Sequence, residues 1–199
     1  MASYDDIFKI KHNGLPPGKG KILISEPFSQ EACFQRAVVL LIEHSIKDSM
    51  GLVVNKPTDL IVNNFLPELK SLPDIPVFQG GPVGFGQLVF FIHSLGPDTV
   101  PDSMWIREHL YMGGNLEALK NYLSEGHPTK GTVKFFSGYA GWESNQLNME
   151  ILRNSWLVSH SSPENILLAE DDSYWNHALE ELGDPYRTWT NYPKSPNMN

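Results

Sequence analysis

The sequence contains a single cysteine, Cys33, among 199 residues. One cysteine excludes an internal disulfide, and it also excludes a zinc site built from several cysteines. Long apolar runs are missing as well: the longest is 37–42, far short of the roughly 20 residues that cross a bilayer. The opening stretch, MASYDDIFKIKHNG, has no apolar segment typical of a secretory signal. These absences predict a cytoplasmic protein that does not contact the membrane.

Positive charge is also scarce, with 15 Lys and Arg against 23 Asp and Glu and a net charge of −8. A general nucleic-acid binder neutralises phosphates with clustered basic side chains. This sequence has neither a basic helix nor a helix-turn-helix pattern, so direct binding to nucleic acid is not expected. Its only basic stretch, at Lys9, Lys11, Lys19 and Lys21, is interpreted as a solvated entry segment in preference to an anion site.

The signature motifs of several enzyme classes are missing too. There is no GxGxxG after a strand, no GxxxxGK[ST], no HExxH and no GxSxG. The glycine-rich segment 80–86, GGPVGFG, precedes a strand and lacks the Lys-Ser/Thr pair, which favours a tight turn over a phosphate-binding loop. None of the seven histidines lies four residues from another. No cofactor and no metal site are therefore predicted.

Short apolar runs bounded by turn residues dominate what is present, and strands and helices alternate irregularly. This pattern is typical of an α+β or a mixed α/β fold. The strongest runs predict adjacent core strands of one mixed sheet at Val38–Ile42, Leu52–Val54, Leu88–Ile92 and Val133–Phe136. Because about five turn residues separate 37–44 from 50–55, these two segments predict a β-hairpin.

Longer helices are predicted in four places. Thr58 is interpreted as the cap of a short helix that reaches Leu66. Asn115 caps a second helix through Leu123. A third helix starts at Ser144 or Asn145 and covers QLNMEILRN. A fourth covers about 173–182 and ends at Gly183.

The chain is expected to form one domain with an appendage at each end. Glycines and prolines punctuate residues 1–20, which predicts an arm, and residues 21–183 form the globular domain. Residues 184–199 contain three prolines and no hydrophobic period, so they are predicted to be an extended tail. Tyr186, Trp189 and Tyr192 are placed to attach that tail to the surface.

Several segments, taken in order, resemble one known family. They are GKGKILISEPF, FQRAVVLLIEHS, MGLVVNKPTDL, PVFQGGPV, FFIHSLG, GYAGWESNQLNMEI, NSWL and WNHALEELG. These segments, from about Gly18 to Gly183, are similar to the AlgH/YqgE family of bacterial proteins. The LYMGGN block and the ending of the tail resemble its Bacteroidetes-type branch. The chain departs from the family at Asp48-Ser49, where Gly-Ala is usual, and at Lys56, where Arg is common and would supply a bidentate fork.

The resemblance implies a single compact α+β domain with a mixed, barrel-like sheet flanked by helices. The family name is associated with transcriptional regulation, but no reaction, cofactor or substrate is established for it. We therefore expect a regulatory or binding module that acts indirectly, through a small ligand or a protein partner, with a homodimer left open. The alternative is a small-molecule enzyme, such as a hydrolase, that uses His44 and Glu43 as acid and base groups.

The candidate binding residues lie where apolar strands end, because rigid backbone there can hold polar groups in place. They are Glu43, His44, Asn55, Lys56, Trp142 and Gln146. If the hairpin pairs as predicted, 43–44 lie near 55–56, and a ligand pocket is expected between this corner and the GYAGW loop. Each group also has a structural interpretation: a hairpin cap for His44, turn chemistry for Asn55-Lys56-Pro57, and core packing for Trp142.

Overall fold

A computed structural model describes residues 11–194. Over that range the chain forms eleven strands and four α-helices. The strands are β1 (Ile22–Ser25), β2 (Val38–His44), β3 (Ser49–Val53), β4 (Pro57–Ile61), β5 (Pro76–Gln79), β6 (Val89–His93), β7 (Met104–Arg107), β8 (Leu110–Met112), β9 (Val133–Ser137), β10 (Ala140–Trp142) and β11 (Trp156–Ser159). The helices are α1 (Leu116–Ser124), α2 (Gln146–Leu152), α3 (Pro163–Leu168) and α4 (Asp171–Leu182). Short 3₁₀ helices cover Ala32–Phe34, Val62–Asn64, Pro67–Leu69 and Tyr186–Asn191.

The strands build two sheets, which confirms the α+β class. One has five antiparallel strands in the order β10-β3-β2-β1-β11, and the other has six in the order β4-β5-β9-β6-β8-β7. Both orders are open, so neither sheet closes into a barrel. All four predicted core runs form strands, but placing them in one sheet was wrong. β2 and β3 belong to the first sheet and β6 and β9 to the second, because apolar runs identify strands without specifying their partners.

The predicted hairpin of β2 and β3 is confirmed, and both faces of β2 are buried. Leu40 and Ile42 face the largest apolar cluster, which takes side chains from both sheets and from α4. Val39 and Leu41 face a second cluster, which includes Leu147 and Ile151 of α2. Burial on both faces explains why this strand is a continuous apolar run instead of an alternating one.

Three of the four predicted helices are confirmed, among them the one over QLNMEILRN, which forms α2. The Asn115 side chain accepts a hydrogen bond from the Ala118 amide at 2.9 Å and so caps α1. α4 begins slightly earlier than predicted and ends at Gly183, whose φ is +70°. The helix predicted after Thr58 was wrong. The Thr58 hydroxyl donates to the Val77 carbonyl at 2.6 Å, so the segment joins β5 as strand β4.

The prediction of an extended tail was wrong for residues 186–191, which form a 3₁₀ helix. Trp189 is 3% exposed and joins the largest apolar cluster, so burying its indole holds this segment on the domain. Residues 1–10 of the predicted arm and 195–199 of the tail lie outside the described residues. The division into arm, domain and tail stays a prediction.

Among the helices of residues 11–194, none combines the length and the apolar character that crossing a bilayer requires.

Two glycine-rich segments, 80–86 and 137–141, cross in backbone contact, and we call this contact the glycine crossing. Gly138 has a φ of +71°, and a β-carbon there would lie 2.6 Å from the Gly81 carbonyl oxygen. A β-carbon on Gly80 would lie 2.2 Å from the Gly138 oxygen. Since the Gly80 amide donates to Ser137 of β9 and its oxygen accepts from Val53 of β3, the crossing links the two sheets.

Replacing Gly138 with alanine is expected to lower the free energy of unfolding by at least about 2 kcal/mol, because positive φ and backbone overlap are both penalised. Chemical denaturation measures the change. Gly18→Ala is the control, since a β-carbon there would meet only the Lys21 side chain, at 3.7 Å. Equal stability of the two variants would contradict the close crossing.

Lys134 of β9 is a buried cation, only 4% exposed. Its ammonium group donates to the Ala169 carbonyl and lies 3.8 Å from the centre of the Phe78 ring. Burial lowers the pKa of Lys134 to about 7, although nearby Glu170 opposes this effect. The folded protein therefore releases this proton at a lower pH than the unfolded chain does.

Between pH 7 and about 10 the unfolded chain should bind more protons at Lys134 than the folded protein, so stability should rise with pH. Lys134→Met should flatten this rise, as measured by urea unfolding across that pH range. The exposed Lys70→Met is the matched control. A slope that Lys134→Met leaves unchanged would show that the group titrates normally in the folded state.

Candidate functional site

The hairpin places the predicted site residues at its two opposite ends. Glu43 and His44 lie next to the turn, where they pair with Met50 and Ser49. Asn55 lies beyond the other end, and its side chain accepts a hydrogen bond from the Val38 amide at 2.9 Å. The expected corner of 43–44 with 55–56 was therefore wrong, because a hairpin brings together residues that are equally distant from its turn.

Asn55 is completely buried and joins the hairpin to α4. Besides the bond from Val38, its amide group donates to the Arg36 carbonyl at 3.0 Å and to the Asp171 carbonyl at 2.8 Å. These bonds occupy both amide hydrogens and the side-chain oxygen. The arrangement stabilises the fold and leaves no polar atom of Asn55 directed at solvent.

Lys56 belongs to an ionic cluster at the start of α4, centred on Asp172. Its ammonium lies 3.6 Å from the Asp172 carboxylate, which also pairs with Arg36 at 3.2 Å and Lys194 at 2.8 Å. Burial lowers the pKa of Lys56, and the charge of Asp172 partly offsets this effect. A carboxylate in the first turn of a helix is also favoured by the helix dipole.

His44 and Trp142 lie on the same face of the five-stranded sheet, one on each side of Ser49. Both residues are in register with Ser49, across β2 and β10 respectively. The His44 Nδ1 atom is 2.8 Å from the Ser49 hydroxyl oxygen. Burial, and to a lesser extent the charge of Lys21, lower the pKa of His44, so the imidazole is neutral near pH 7.

Glu150 on α2 holds Trp142 and Gln146 together. One oxygen of its carboxylate accepts the indole N–H of Trp142 and that of Trp156, each at 2.8 Å. The other oxygen accepts from the Gln146 amide at 2.9 Å. The four-residue spacing of Gln146 and Glu150 is the sequence signal for this contact. Trp142 is 4% exposed, consistent with core packing, and it also contributes to the lining of two surface clefts.

Two clefts meet at Gly141, on the outer edge of β10. The first cleft, of about 490 Å³, is lined by Glu43, Asp48, Ser49, Met50, Val83, Tyr139, Gly141, Trp142 and Glu143. The second, of about 290 Å³, is lined by Glu26, Ser29, Gln30, Glu31, Phe34, Pro82, Gly141, Trp142, Gln146, Glu150, Ser155 and Trp156. Of the predicted residues, Glu43 lines the first cleft, Gln146 the second and Trp142 both. His44 reaches the first cleft only through Ser49.

Sequence reasoning missed Ser49 and Met50, although it placed the pocket beside the GYAGW loop, which holds Tyr139 and Gly141. Their placement depends on the pairing of β10 with β3. These segments are about ninety residues apart in sequence, and no local sequence pattern predicts their contact. Within the described residues 11–194, no three His, Cys, Asp or Glu side chains come together as a metal-binding group. The chemistry that this site does offer is a partly apolar cleft with carboxylates and one Ser–His hydrogen bond.

Comparison with known proteins agrees with the resemblance seen in the sequence. The model of the family described as AlgH-like matches residues 22–187. A UPF0301 protein of Parabacteroides distasonis is 56% identical over 199 residues, covering 100% of both chains. A UPF0301 protein of Bacteroides fragilis is 44% identical over 196 residues, covering 98% of this chain and 97% of the relative.

Two solved structures have a similar fold. The solution structure of the AlgH protein from Pseudomonas aeruginosa superimposes with a TM-score of 0.67 at 27% identity, covering 90% of this chain and 97% of that one. A crystal structure of a Corynebacterium diphtheriae protein gives a TM-score of 0.74 at 23% identity, covering 92% and 95%, and this likeness concerns the fold alone. The chain therefore belongs to the AlgH-like family of UPF0301 proteins.

Proposed function

We propose that this protein is a regulatory binding module whose ligand or partner occupies the first cleft. The observation that carries the proposal is the cleft itself, whose volume of about 490 Å³ lies within the range typical of ligand sites. Met50, Val83 and Tyr139 contribute apolar surface, and Glu43 and Glu143 contribute charge. Such a mixture favours burial of an apolar group while polar contacts select its orientation.

The rigidity of one wall supports the same proposal. Trp142 is fixed from behind by its bond to Glu150, so ligand binding does not have to order this large side chain. A side chain that is already immobilised in the free protein costs little entropy when a ligand packs on it. A recognition surface benefits from this arrangement.

The proposal includes indirect regulation, through a partner and not through DNA. The carboxylates of the cleft and the net charge of −8 oppose contact with phosphates. The proposed compartment is the cytoplasm, where a free and partly exposed thiol such as Cys33 stays reduced.

A thermal-shift screen of bacterial metabolites and short peptides should yield ligands that raise the melting temperature of the native protein. Met50→Arg, which fills the first cleft with a charged side chain, should abolish the shift. Leu168→Arg is the control, because Leu168 is 48% exposed on α3, outside the residues that line the cleft. Ligands whose effect survives Met50→Arg would place the binding site elsewhere and contradict the proposal.

The bond between Ser49 and His44 favours a second candidate function, ester hydrolysis. A serine hydroxyl within hydrogen-bond reach of a neutral imidazole is the starting geometry for nucleophilic catalysis. In such a step the Ser49 oxygen attacks the carbonyl carbon, His44 accepts the hydroxyl proton, and the proton passes to the leaving alkoxide. Water then hydrolyses the acyl-serine with His44 as base. The lowered pKa of His44 supports its role as a base at neutral pH.

If this second function is real, the protein should hydrolyse p-nitrophenyl acetate, and Ser49→Ala and His44→Gln should each reduce the rate to background. The rate should stay constant at neutral pH and fall only when the pH drops below the ordinary pKa of histidine, because protonation of His44 then removes the base. The exposed Ser71→Ala is the control. A rate that persists in Ser49→Ala would eliminate this candidate.

A further inference from the structure

The two outer edges of the five-stranded sheet differ in how their outward backbone groups are hydrogen-bonded. At the β11 edge, the side chain of Asn13 covers the backbone of Val158. The Asn13 amide donates to the Val158 carbonyl at 2.6 Å, and the Val158 amide donates to the Asn13 oxygen at 3.3 Å. One carboxamide therefore replaces the hydrogen bonds that a further strand would make, which is a common way to protect an edge.

At the β10 edge, the outward backbone groups are hydrogen-bonded only as far as Tyr139. Tyr139 and Val83 exchange two backbone hydrogen bonds, at 3.0 and 3.1 Å, so the Tyr139 peptide groups point away from β3. Backbone groups alternate along a strand. Ala140 and Trp142 therefore bond to β3, and Gly141 presents its N–H and C=O to the outside.

The neighbouring ladder leads to the same assignment. Leu41 bonds through both its amide and its carbonyl to the β1 side of β2, at Lys21 and Gly20. The pair Leu41–Gly51 is then a non-hydrogen-bonded one, which turns the Gly51 peptide groups toward Ala140. Gly141 is exposed, and nothing within residues 11–194 bonds to its outward groups.

This open position lies between the first and second clefts, and we call the three together the edge groove. Its floor is apolar, at Met50 and Tyr139 on one face of the sheet and at Trp142 on the other. Beside it the 80–88 loop exposes Val83 at 42% and Phe85 at 43%. Exposed apolar side chains next to an unpaired backbone position are typical of a surface where a partner docks.

The charge of the edge groove has one sign. Its carboxylates are Glu26, Glu31, Glu43, Asp48, Glu143 and Glu150. In the described part of the chain, no lysine or arginine lines either cleft. Burial raises the pKa of Glu26, which reflects a carboxylate that would gain from a cationic neighbour. A second copy of the chain would bring carboxylates against carboxylates, so the charge disfavours pairing of two identical edges.

We propose that the edge groove binds an extended, cationic peptide segment of a partner protein, which adds as a strand beside Gly141. This inference rests on the proposed function of the first cleft and names its occupant. An extended segment offers hydrogen-bond partners for the unpaired N–H and C=O of Gly141, while its alternate side chains reach the apolar floor and the carboxylates. Because only one residue of β10 is open, charge supplies much of the affinity, and binding weakens as salt is raised.

The probe is a short acetylated and amidated peptide of alternating lysine and threonine, titrated into the full-length protein by calorimetry. Matched peptides carry glutamate in place of lysine, or the lysine sequence with methylated backbone nitrogens. The lysine peptide should bind, and the glutamate peptide should not. Backbone methylation should weaken binding about tenfold, because it removes hydrogen bonds while the charge is kept.

Two substitutions at one position separate strand addition from charge attraction. Gly141→Pro removes the outward N–H without breaking a bond to β3, since proline is tolerated on the solvent side of an edge strand. It should weaken the lysine peptide about tenfold. Gly141→Ala keeps the N–H, and its β-carbon meets only the movable Tyr139 ring, at 3.2 Å, so it should bind like the native protein. If Gly141→Pro does not fold, the methylated peptide tests the same bond on the native chain.

Equal binding to the native protein and Gly141→Pro, or equal binding of the methylated peptide, would overturn strand addition. Self-association that Gly141→Pro abolishes would assign the edge to a second copy and also overturn the proposal. Binding of a small ligand in the first cleft is tested separately, by its loss in Met50→Arg. Loss of peptide binding alone therefore contradicts this inference, whereas the absence of any Met50-dependent ligand contradicts the proposed function.

Discussion

The contact between the two glycine-rich segments is the constraint on which the rest of this structure depends. At Gly138 the chain leaves the last residue of β9 and enters β10, so the six-stranded sheet passes directly into the five-stranded one. The two segments can approach this closely only because glycine has no side chain. A β-carbon on Gly81 would lie 2.1 Å from the Tyr139 backbone. The crossing also fixes Val83 against Tyr139 and so decides where the edge of β10 stops being covered.

Three buried or half-buried polar groups near the hairpin serve the fold. Asn55 and Asp172 fasten α4 to the open end of the hairpin, and Glu150 fastens α2 to the indoles at the other end. Each is paired, as buried polar and charged groups must be if they are not to destabilise the protein. What remains for recognition is the surface that these anchors hold rigid: the Trp142 face, the Ser49–His44 pair and the Gly141 backbone.

Local patterns in the sequence predicted much of the secondary structure. The apolar run of β2, the cap of α1 and the glycine that ends α4 each carry a signal within a few residues. The helix predicted after Thr58 was wrong because a threonine hydroxyl can cap a helix or donate to a neighbouring strand. Only the position of the Val77 carbonyl decides between these two roles.

The sites were harder to predict because they depend on distant pairing. Trp142, Gln146 and Glu43 were predicted and do line the clefts, whereas Asn55 and Lys56 lie beyond the other end of the hairpin. Register determines that outcome, and register follows from the position of the turn and from packing of both sheets. The open edge at Gly141 could not be predicted, since a glycine in a strand does not reveal which neighbouring strand is missing.

The central claim is that Gly141 presents an unpaired backbone on an otherwise covered sheet edge, and native-state amide hydrogen exchange tests it most directly. The account predicts that the Gly141 amide exchanges as fast as amides in exposed loops. The flanking Ala140 and Trp142 amides should be strongly protected by their bonds to β3, and Val158 should be protected by Asn13. A Gly141 amide protected as strongly as those of Ala140 and Trp142 would contradict the account.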